Sequence, residues 1–236
     1  MSISKWFFAQ WYDALNSIVE PKVIPYRHLT AGKSHGKTLE VGGGTGANLP
    51  YFETTSSLTI VEPDVHMTNK LRKKVNNLNK DISIVKSFGE KLPFEDNIFD
   101  SVVTTLVLCM VNDVEKVILE IYRVLKPGGK FFFYEHTVAR SFSGKLLQQL
   151  LDPIWILTTT GCHLKRDILG VVKSAPFTKL EYDIFNLNVG ITITIPNIVG
   201  SVAKSQDPNR CINIQLIVAV PLCEKVPMKS EFQPQE

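Results

Sequence analysis

A group of glycines near residue 40 combines the residue types and spacing needed to bind a cofactor. A short strand-like stretch at 38–41 contains one acid, Glu40, and four glycines follow within five positions: Gly42, Gly43, Gly44 and Gly46. Glycine is needed where the backbone turns with positive φ, or where a ligand touches the backbone without an intervening Cβ. In open α/β sheets, a turn of this kind after the first strand binds nucleotide-like cofactors. The pattern therefore predicts a cofactor-binding loop.

Two classes of cofactor fit this loop. The spacing Gly42-x-Gly44-x-x-Ala47 satisfies the fingerprint of dinucleotide-binding enzymes, so an NAD-dependent oxidoreductase is one alternative. The same residues also fit a second pattern, in which an acid and three glycines alternate with other residues: Glu40-x-Gly42-x-Gly44-x-Gly46. A phosphate-binding P-loop does not fit, because no lysine follows the glycines. The choice between the first two depends on the rest of the chain.

A second acid, Glu62, follows the next apolar stretch and precedes Pro63. It lies about twenty residues beyond the glycine loop, where a carboxylate can accept both ribose hydroxyls of an adenosine. The alternative is a solvated carboxylate at the end of a strand. Because the spacing is coupled to the glycine loop, we favour the ribose role.

The elements that position these residues alternate between strand and helix. Strands are predicted at 37–41, 58–61, 82–85, 101–108 and 130–134, and helices at 64–77 and 114–125. This order predicts an α/β fold with a doubly wound, mostly parallel sheet. The second half is less regular: we expect a sixth strand over 179–185, a cap over the pocket at about 186–208, and a long closing strand over 211–220.

Size, charge and cysteine usage limit the functional classes. The chain has 236 residues, enough for one domain, and its net charge of +3 comes from scattered basic residues, which argues against nucleic-acid binding. The four cysteines show no C-x-x-C pair and no histidine spacing suited to zinc, so we expect reduced thiols, a cytosol-like compartment and no metal. We find no secretory signal and no apolar run near the ~18 residues of a membrane span.

The amino-terminal residues 4–20 have the spacing of an amphipathic helix with many aromatic side chains. We favour a helix packed on its own domain, as a lid over the cofactor, and keep peripheral membrane contact as the alternative. The predicted organisation is a helix or lid over 1–36, a catalytic domain over 37–223 and a flexible tail over 224–236. We expect a monomer.

Several motifs taken together resemble the class I S-adenosylmethionine-dependent methyltransferases. They are Glu40-x-Gly42-x-Gly44-x-Gly46, Glu62-Pro63, Glu90-Lys91-Leu92-Pro93-Phe94, Phe99-Asp100-x-Val102-Val103 and Arg123-Val124-Leu125-Lys126-Pro127-Gly128-Gly129. The resemblance covers residues 37–136. It implies a Rossmann-like sheet of seven strands with the seventh antiparallel, and S-adenosyl-L-methionine as the methyl donor.

A narrower set of residues is similar to the methyltransferase-like thiol S-methyltransferases of animal microsomes. The set comprises Thr105-Leu106-Val107-Leu108-Cys109, Glu135-His136, Gly161-Cys162 and the segment 196–204. This similarity implies a small, lipophilic methyl acceptor, with a thiol favoured over the phospholipid, amine or hydroxyl acceptors of related enzymes. A non-catalytic adaptor that keeps the fold is a further alternative. The hydrophobic anchor of the microsomal enzymes is replaced here by residues 4–20.

The class I resemblance also implies which residues bind the donor. The glycine loop lies along its methionine and ribose, the acid after the second strand binds the ribose, two residues after the third strand flank the adenine, and two residues of the fourth strand lie beneath the sulfonium. These positions are Glu40, Gly42, Gly43, Gly44, Gly46, Glu62, Pro63, Phe88, Gly89, Thr104 and Thr105.

The predicted catalytic pair follows the fifth strand. A thiol has a pKa near ~8.5, so a nearby base increases the thiolate fraction at neutral pH. His136 is the first candidate for this base, with Glu135 orienting it or lining the substrate. The alternative for His136 is a structural histidine that bonds to the backbone. His163 is a weaker candidate, and Cys109 is predicted to lie in the core.

Overall fold

The computed structural model describes residues 20–78, 80–159, 161–188 and 194–207. The predicted amino-terminal helix over 4–20, apart from Glu20, lies outside these residues, and so does the strand predicted over 211–220.

Seven strands form a single sheet. They are β1 (Gly36–Val41), β2 (Thr55–Val61), β3 (Ile82–Val85), β4 (Phe99–Thr105), β5 (Leu125–His136), β6 (Phe177–Asn188) and β7 (Thr194–Lys204). Their order is β3-β2-β1-β4-β5-β7-β6; β1 to β5 pair in parallel, and β7 is antiparallel to both β5 and β6. This confirms the doubly wound, mostly parallel, seven-stranded sheet with an antiparallel seventh strand.

Helices precede and connect the strands. They are α1 (20–29), α2 (Val65–Val75), α3 (Val114–Val124), α4 (Phe142–Thr158) and α5 (Ile168–Ser174), with short 3₁₀ turns at Ala31–Lys33 and Leu49–Tyr51. Side-chain caps fix where several of them begin: Asp64 accepts hydrogen bonds from the first turn of α2, Asp113 from that of α3 and Ser141 from that of α4. None of the described helices is long and apolar enough to cross a bilayer.

The main core lies between the sheet and helices α3 and α5. The predicted apolar stripe of α3 faces this core, and its buried members are Val117, Ile118, Ile121 and Val124. A second cluster on the opposite face includes Leu58, Ile60 and Leu71. Both faces of the central strands are therefore covered, which is why these strands read as continuous apolar runs.

The structure corrects the cap predicted over 186–208. Residues 186–188 extend β6 and residues 194–204 form β7, which is hydrogen-bonded between β5 and β6. A strand in that position is buried, so its apolar composition reflects the interior of the sheet and not a pocket cover. Gly200 fits this interior position because it has no side chain: a Cβ there would lie 2.5 Å from the carbonyl of Glu181 and 2.8 Å from the ring of Phe133.

Candidate active site

A cavity of about 540 Å³ opens at the carboxyl ends of β1, β2 and β4. The last residues of these strands, Val41, Val61 and Thr105, form part of its wall. The strand order reverses between β1 and β4, and ligands of open α/β sheets bind at such a switch point. The cavity is therefore the candidate active site.

Two groups of residues line this cavity. We call the first the donor half; it contains Gly42, Gly44, Glu62, Pro63, Phe88 and Gly89. We call the second the acceptor half; it contains Leu106, Val107, Met110, Val111, Gly161, His163 and Arg166. The donor half is built from the loops that follow β1, β2 and β3, whereas the acceptor half combines the turn after β4 with the loop after α4.

The glycine loop is fixed by backbone hydrogen bonds to the neighbouring strand. The amides of Gly42 and Gly43 donate to the carbonyl of Val61 at 2.8 and 3.2 Å. Gly42 has φ of +76°, and a Cβ at this position would overlap the side chain of Val107 in the acceptor half. Glycine is required here both by the left-handed backbone and by this close approach.

Glu62 is buried at the cavity wall beside the glycine loop. One carboxylate oxygen accepts from the amide of Gly44 at 2.8 Å, and the other accepts from the amide of Asp64 at 2.9 Å. Burial raises the pKa of Glu62, and these two hydrogen bonds limit the rise. Each carboxylate oxygen has a further lone pair, so the side chain retains the capacity to accept hydroxyl groups.

A buried polar chain links Glu40 to helix α1. Asn48 donates to a carboxylate oxygen of Glu40 at 2.8 Å and to the hydroxyl of Thr105 at 3.0 Å, while its carbonyl accepts from Arg27 at 2.6 Å. Arg27 in turn binds the carboxylate of Glu20 with two nitrogens, at 2.8 and 3.0 Å. The sequence reasoning missed Arg27 and Asn48; an amide two residues after the last glycine is the signal that could have identified the latter.

The charges around the glycine loop match a cationic cofactor. The second carboxylate oxygen of Glu40 is buried and has no hydrogen-bond partner among the described residues. Burial raises the pKa of Glu40 to about 7, although Asn48 and Arg27 oppose this rise and the nearby charge of Glu62 adds to it. The carboxylate of Glu40 beside this loop favours the sulfonium and ammonium groups of S-adenosylmethionine and, when ionised, repels the pyrophosphate that a dinucleotide would place against the same loop. The residues present therefore fit the sulfonium cofactor.

The structure brings together only some of the predicted cofactor residues. Seven of them line the cavity: Gly42, Gly44, Glu62, Pro63, Phe88, Gly89 and Thr105. Four others support the loop or the sheet from behind: Glu40, Gly43, Gly46 and Thr104. At Gly46 a Cβ would meet the core residues Leu49 and Leu71 at 2.7 and 2.8 Å. The ring of Phe88 is 62% exposed at the cavity wall, so it is available to a planar ligand.

Glu135 is fully buried and shapes the acceptor half from outside the cavity lining. Its carboxylate oxygens accept from the amides of Val107 at 3.2 Å and Leu108 at 3.0 Å. Burial raises the pKa of Glu135 to about 7, against the effect of these hydrogen bonds. The turn after β4 starts at Leu106 with a left-handed φ of +57°, so Glu135 holds a strained turn in place.

His136 is half-buried and also lies outside the cavity lining. Its Nδ1 atom is 3.2 Å from the Sγ atom of Cys162, and its ring meets that of Trp155 edge-on. The cavity instead contains His163, whose Nδ1 atom is 3.6 Å from a carboxylate oxygen of the buried Asp152. Sequence reasoning ranked His136 above His163 because a sequence pattern does not show which histidine faces the cavity; of the two, His163 lines it.

Arg166 is the second basic residue of the acceptor half. Its guanidinium donates to the carbonyl of Leu108 at 2.7 Å, and the amide of His163 donates to the carbonyl of Cys109 at 2.8 Å. These two bonds join the loop after α4 to the turn after β4. The acceptor half is thus an apolar wall with a histidine and an arginine at one side.

Comparisons with known proteins agree with this geometry. The sequence profile of a family described as "Methyltransferase domain" matches residues 39–133. Human thiol S-methyltransferase TMT1A is 34% identical over 171 residues, which cover 70% of each chain. The ubiquinone/menaquinone biosynthesis C-methyltransferase UbiE of an Escherichia coli strain is 32% identical over 78% of this chain and 84% of its own.

Solved structures show the same fold at lower identity. A SAM-dependent methyltransferase from Thermotoga maritima superposes with a TM-score of 0.63 at 19% identity, covering 86% of this chain and 98% of the other.

Proposed function

Because this chain belongs to the class I S-adenosylmethionine-dependent methyltransferases, we propose that the small molecule it methylates is a lipophilic thiol. Its methyl donor is S-adenosyl-L-methionine, as throughout that family. The observation that carries the proposal is the acceptor half, in which apolar side chains line the cavity together with His163 and Arg166. The 34% identity to a thiol S-methyltransferase supports the same acceptor class.

The apolar part of the acceptor half favours a lipophilic substrate. Leu106, Val107, Met110 and Val111 contribute aliphatic surface. Burying apolar substrate surface against it stabilises the complex by about 25 cal/mol per Å² before the cost of association is subtracted. Methionine adapts to ligands of different shape, which suits a broad set of alkyl groups.

The charges of the acceptor half favour a thiolate over an amine. A guanidinium near the acceptor lowers the pKa of a thiol and so increases the nucleophilic thiolate fraction. An amine acceptor is protonated at neutral pH, so the positive charge of Arg166 would oppose its binding. Arg166 is held in place by Leu108, which keeps its charge beside the cavity.

The donor half would hold the cofactor by its two ends. Glu62 would accept the ribose hydroxyls, and Phe88 and Gly89 would flank the adenine. Glu40 would attract the positive charges of the methionine part, and Thr104 and Thr105 would support it from β4. When bound, the cofactor supplies an electrophilic methyl group on a positively charged sulfur. The protein then contributes mainly position, since placing donor and acceptor at near-attack distance supplies most of the acceleration.

We assign the role of proton acceptor to His163, because it lines the cavity and Asp152 lies behind its ring. The sequence predicts His136 in this role, with Glu135 beside it, and both lie outside the cavity lining. Replacing each histidine in turn and measuring turnover shows which of the two accepts the proton. A general base contributes about 10²-fold or more to such a reaction.

The acceptor class is tested by turnover of labelled S-adenosylmethionine with a panel of acceptors. The panel contains alkyl thiols, primary amines, a hydroquinone and phospholipid vesicles. We expect methyl sulfide products from the thiols and the highest kcat/KM for the more lipophilic members. Preferential methylation of an amine, a hydroquinone or a phospholipid would overturn the thiol proposal. Donor binding without turnover of any of these acceptors would support the adaptor alternative.

Replacing His163 with alanine should lower kcat about 100-fold for alkyl thiols, because the base that accepts their proton is lost. Aryl thiols of low pKa should be much less affected, since they are already ionised. Donor affinity, measured by calorimetry, should stay unchanged. The matched variant is His136→Ala: if it alone shows the loss that depends on the thiol pKa, then His136 is the base and His163 is not.

A further inference from the structure

Two cysteines and a histidine from three separate segments meet behind the acceptor half; we call them the thiol cluster. Cys109 lies in the turn after β4, His136 ends β5, and Cys162 follows α4. The Sγ atom of Cys162 is 3.2 Å from the Sγ atom of Cys109 and 3.2 Å from Nδ1 of His136. Their ligand atoms all lie within 4.8 Å of one another. Both cysteines are buried, and His136 is half-buried.

The proposed methyl transfer leaves this cluster without a role. None of its three residues is among those that line the cavity. A buried cysteine on its own is usually a small apolar side chain in the core. Here the Sγ atom of Cys162 is 3.2 Å from both Cys109 Sγ and His136 Nδ1, so three potential metal ligands lie together.

The ligand atoms of the thiol cluster are slightly closer together than those of a zinc site. Zn–S bonds of about 2.3 Å and Zn–N bonds of about 2.0 Å put tetrahedral ligand atoms about 3.5–3.8 Å apart. The observed contacts of 3.2 Å would therefore need to open by roughly half an ångström. A disulfide would instead need the two sulfurs to approach by about 1.1 Å, to the S–S length of about 2.05 Å. The arrangement is closer to a metal site than to a disulfide.

The geometry points to a zinc site formed by Cys109 Sγ, Cys162 Sγ and His136 Nδ1, with water as the fourth ligand on the half-buried side of His136. Two thiolates, one neutral imidazole and one open position form a donor set that zinc accepts. Binding displaces the thiol protons to solvent, and the two thiolate charges then balance the charge of the ion. The wide spacing of these residues in the sequence explains why the cysteine pattern predicted no metal.

The backbone around each ligand is already fixed. The carbonyl of Cys109 accepts from the amide of His163 at 2.8 Å, and the amide of Gly161, next to Cys162, donates to Ile156 at 2.9 Å. His136 is paired with Asn197 in the sheet. A zinc ion would therefore join the turn after β4 to the loop after α4, the two segments that build the acceptor half.

Cobalt(II) binding by the full chain tests this site, since cobalt replaces zinc in thiolate sites and its absorption reports the ligands. The protein is purified with a chelator and a reductant and then titrated with cobalt chloride alone. We expect about one equivalent to bind, with a sulfur-to-cobalt charge-transfer band and the intense visible bands of four-coordinate cobalt. Added zinc should abolish both sets of bands.

Single substitutions identify the ligands. Cys109→Ala, Cys162→Ala and His136→Ala should each abolish tight cobalt binding. Cys211→Ala and Cys223→Ala are the matched controls, because each removes a thiol from elsewhere in the chain, and both should keep the full spectrum. His136 is half-buried, so its replacement tests the ligand set even if a buried cysteine variant does not fold.

Three results would overturn the zinc site. The first is a wild-type chain that gives no thiolate band with cobalt. The second is a spectrum that persists in Cys162→Ala. The third is a disulfide between Cys109 and Cys162 that forms in air at the same rate with and without zinc. None of these results bears on the identity of the methyl acceptor, so the two proposals fail independently.

Discussion

The donor and acceptor halves of the cavity are constructed in different ways. The donor half uses residues that each lie within a few positions of the end of a parallel strand, and its key contacts involve backbone amides such as that of Gly44. The acceptor half joins segments that are distant in the chain; Arg166 and Leu108, which hold them together, are 58 residues apart. The donor half is therefore determined mainly by local backbone geometry, and the acceptor half by tertiary contacts.

This difference suggests which half can change during evolution. A common donor needs the same loop in every relative, whereas a different acceptor requires only new side chains in the turn after β4 or in the loop after α4. A thiol S-methyltransferase and a ubiquinone/menaquinone biosynthesis C-methyltransferase are each more than 30% identical to this chain, so enzymes named for different acceptors resemble it.

The largest effect should come from Gly42→Ala, which places a Cβ where the two halves touch. The added methyl must adopt φ near +76° and overlaps Val107. We expect the free energy of unfolding to fall by about 2–5 kcal/mol, from the left-handed backbone and the overpacking together, and donor binding to weaken at least tenfold. Denaturant unfolding and calorimetry with S-adenosylhomocysteine measure the two effects.

Gly161→Ala is the matched control in the acceptor half. Gly161 also has a positive φ, +118°, but an added Cβ meets no atom of the described residues within 4 Å. The free energy of unfolding should fall only by the cost of placing alanine in a positive-φ backbone, and donor affinity should be unchanged. The double variant Gly42→Ala/Val107→Ala should recover part of the loss. Equal losses in the two single variants would contradict the contrast between the halves.

The next effect should come from Glu62→Ala, which removes the carboxylate at the donor wall. We expect donor affinity to fall tenfold or more, about 1.4 kcal/mol, because the ribose hydroxyls lose their acceptor and the amide of Gly44 loses its partner. Calorimetry with the donor measures the change. Glu62→Gln keeps one acceptor oxygen and should lose less. Unchanged affinity in the alanine variant would remove Glu62 from the site.

The smallest effect should be a pH dependence that originates at Glu40. Burial raises the pKa of this carboxyl to about 7 in the free protein, and a cationic donor favours its ionised form. Below pH 7 donor binding must therefore release a proton, so affinity should rise with pH and level off above about 7. The wild-type slope between pH 6 and 8 should vanish in Glu40→Gln. A wild-type donor affinity that does not change with pH would show that Glu40 does not release a proton when the donor binds.

The raised pKa of Glu40 has the opposite effect on folding stability, which falls as the pH rises, whereas donor affinity increases. The folded-state pKa of Glu40 lies above its ordinary value of 4.5, so the folded protein binds a proton that the unfolded chain has already released between these two pH values. The free energy of unfolding therefore decreases as the pH rises from about 4.5 to about 7. Glu135, which is buried with the same raised pKa, acts in the same direction.

The sequence was most informative where local geometry dictates the residue. The glycine loop and Glu62 were predictable because positive φ and a fixed spacing limit those positions to few residue types. Strand β7 was misassigned, since an apolar stretch with a proline and a glycine fits either a cap or a strand inside the sheet. The approach of Gly200 to the ring of Phe133 decides between them, and it exists only in the folded sheet.

The acceptor half was less predictable for the same reason. Which of His136 and His163 faces the cavity depends on how the loop after α4 docks on the turn after β4. The partnership of Arg27 with Asn48 likewise joins a helix to a distant loop. The sequence identifies these residues, but it does not show which residues they contact in the folded protein.

The place of β7 in the sheet has a consequence for protein synthesis. Residues 194–204 hydrogen-bond to β5 on one side and β6 on the other, so β5 keeps an unpaired edge until this segment has left the ribosome. That edge belongs to a strand with three consecutive phenylalanines, Phe131, Phe132 and Phe133. An exposed apolar edge can pair with other chains. A nascent or truncated chain that ends before residue 194 is therefore the species most prone to aggregate.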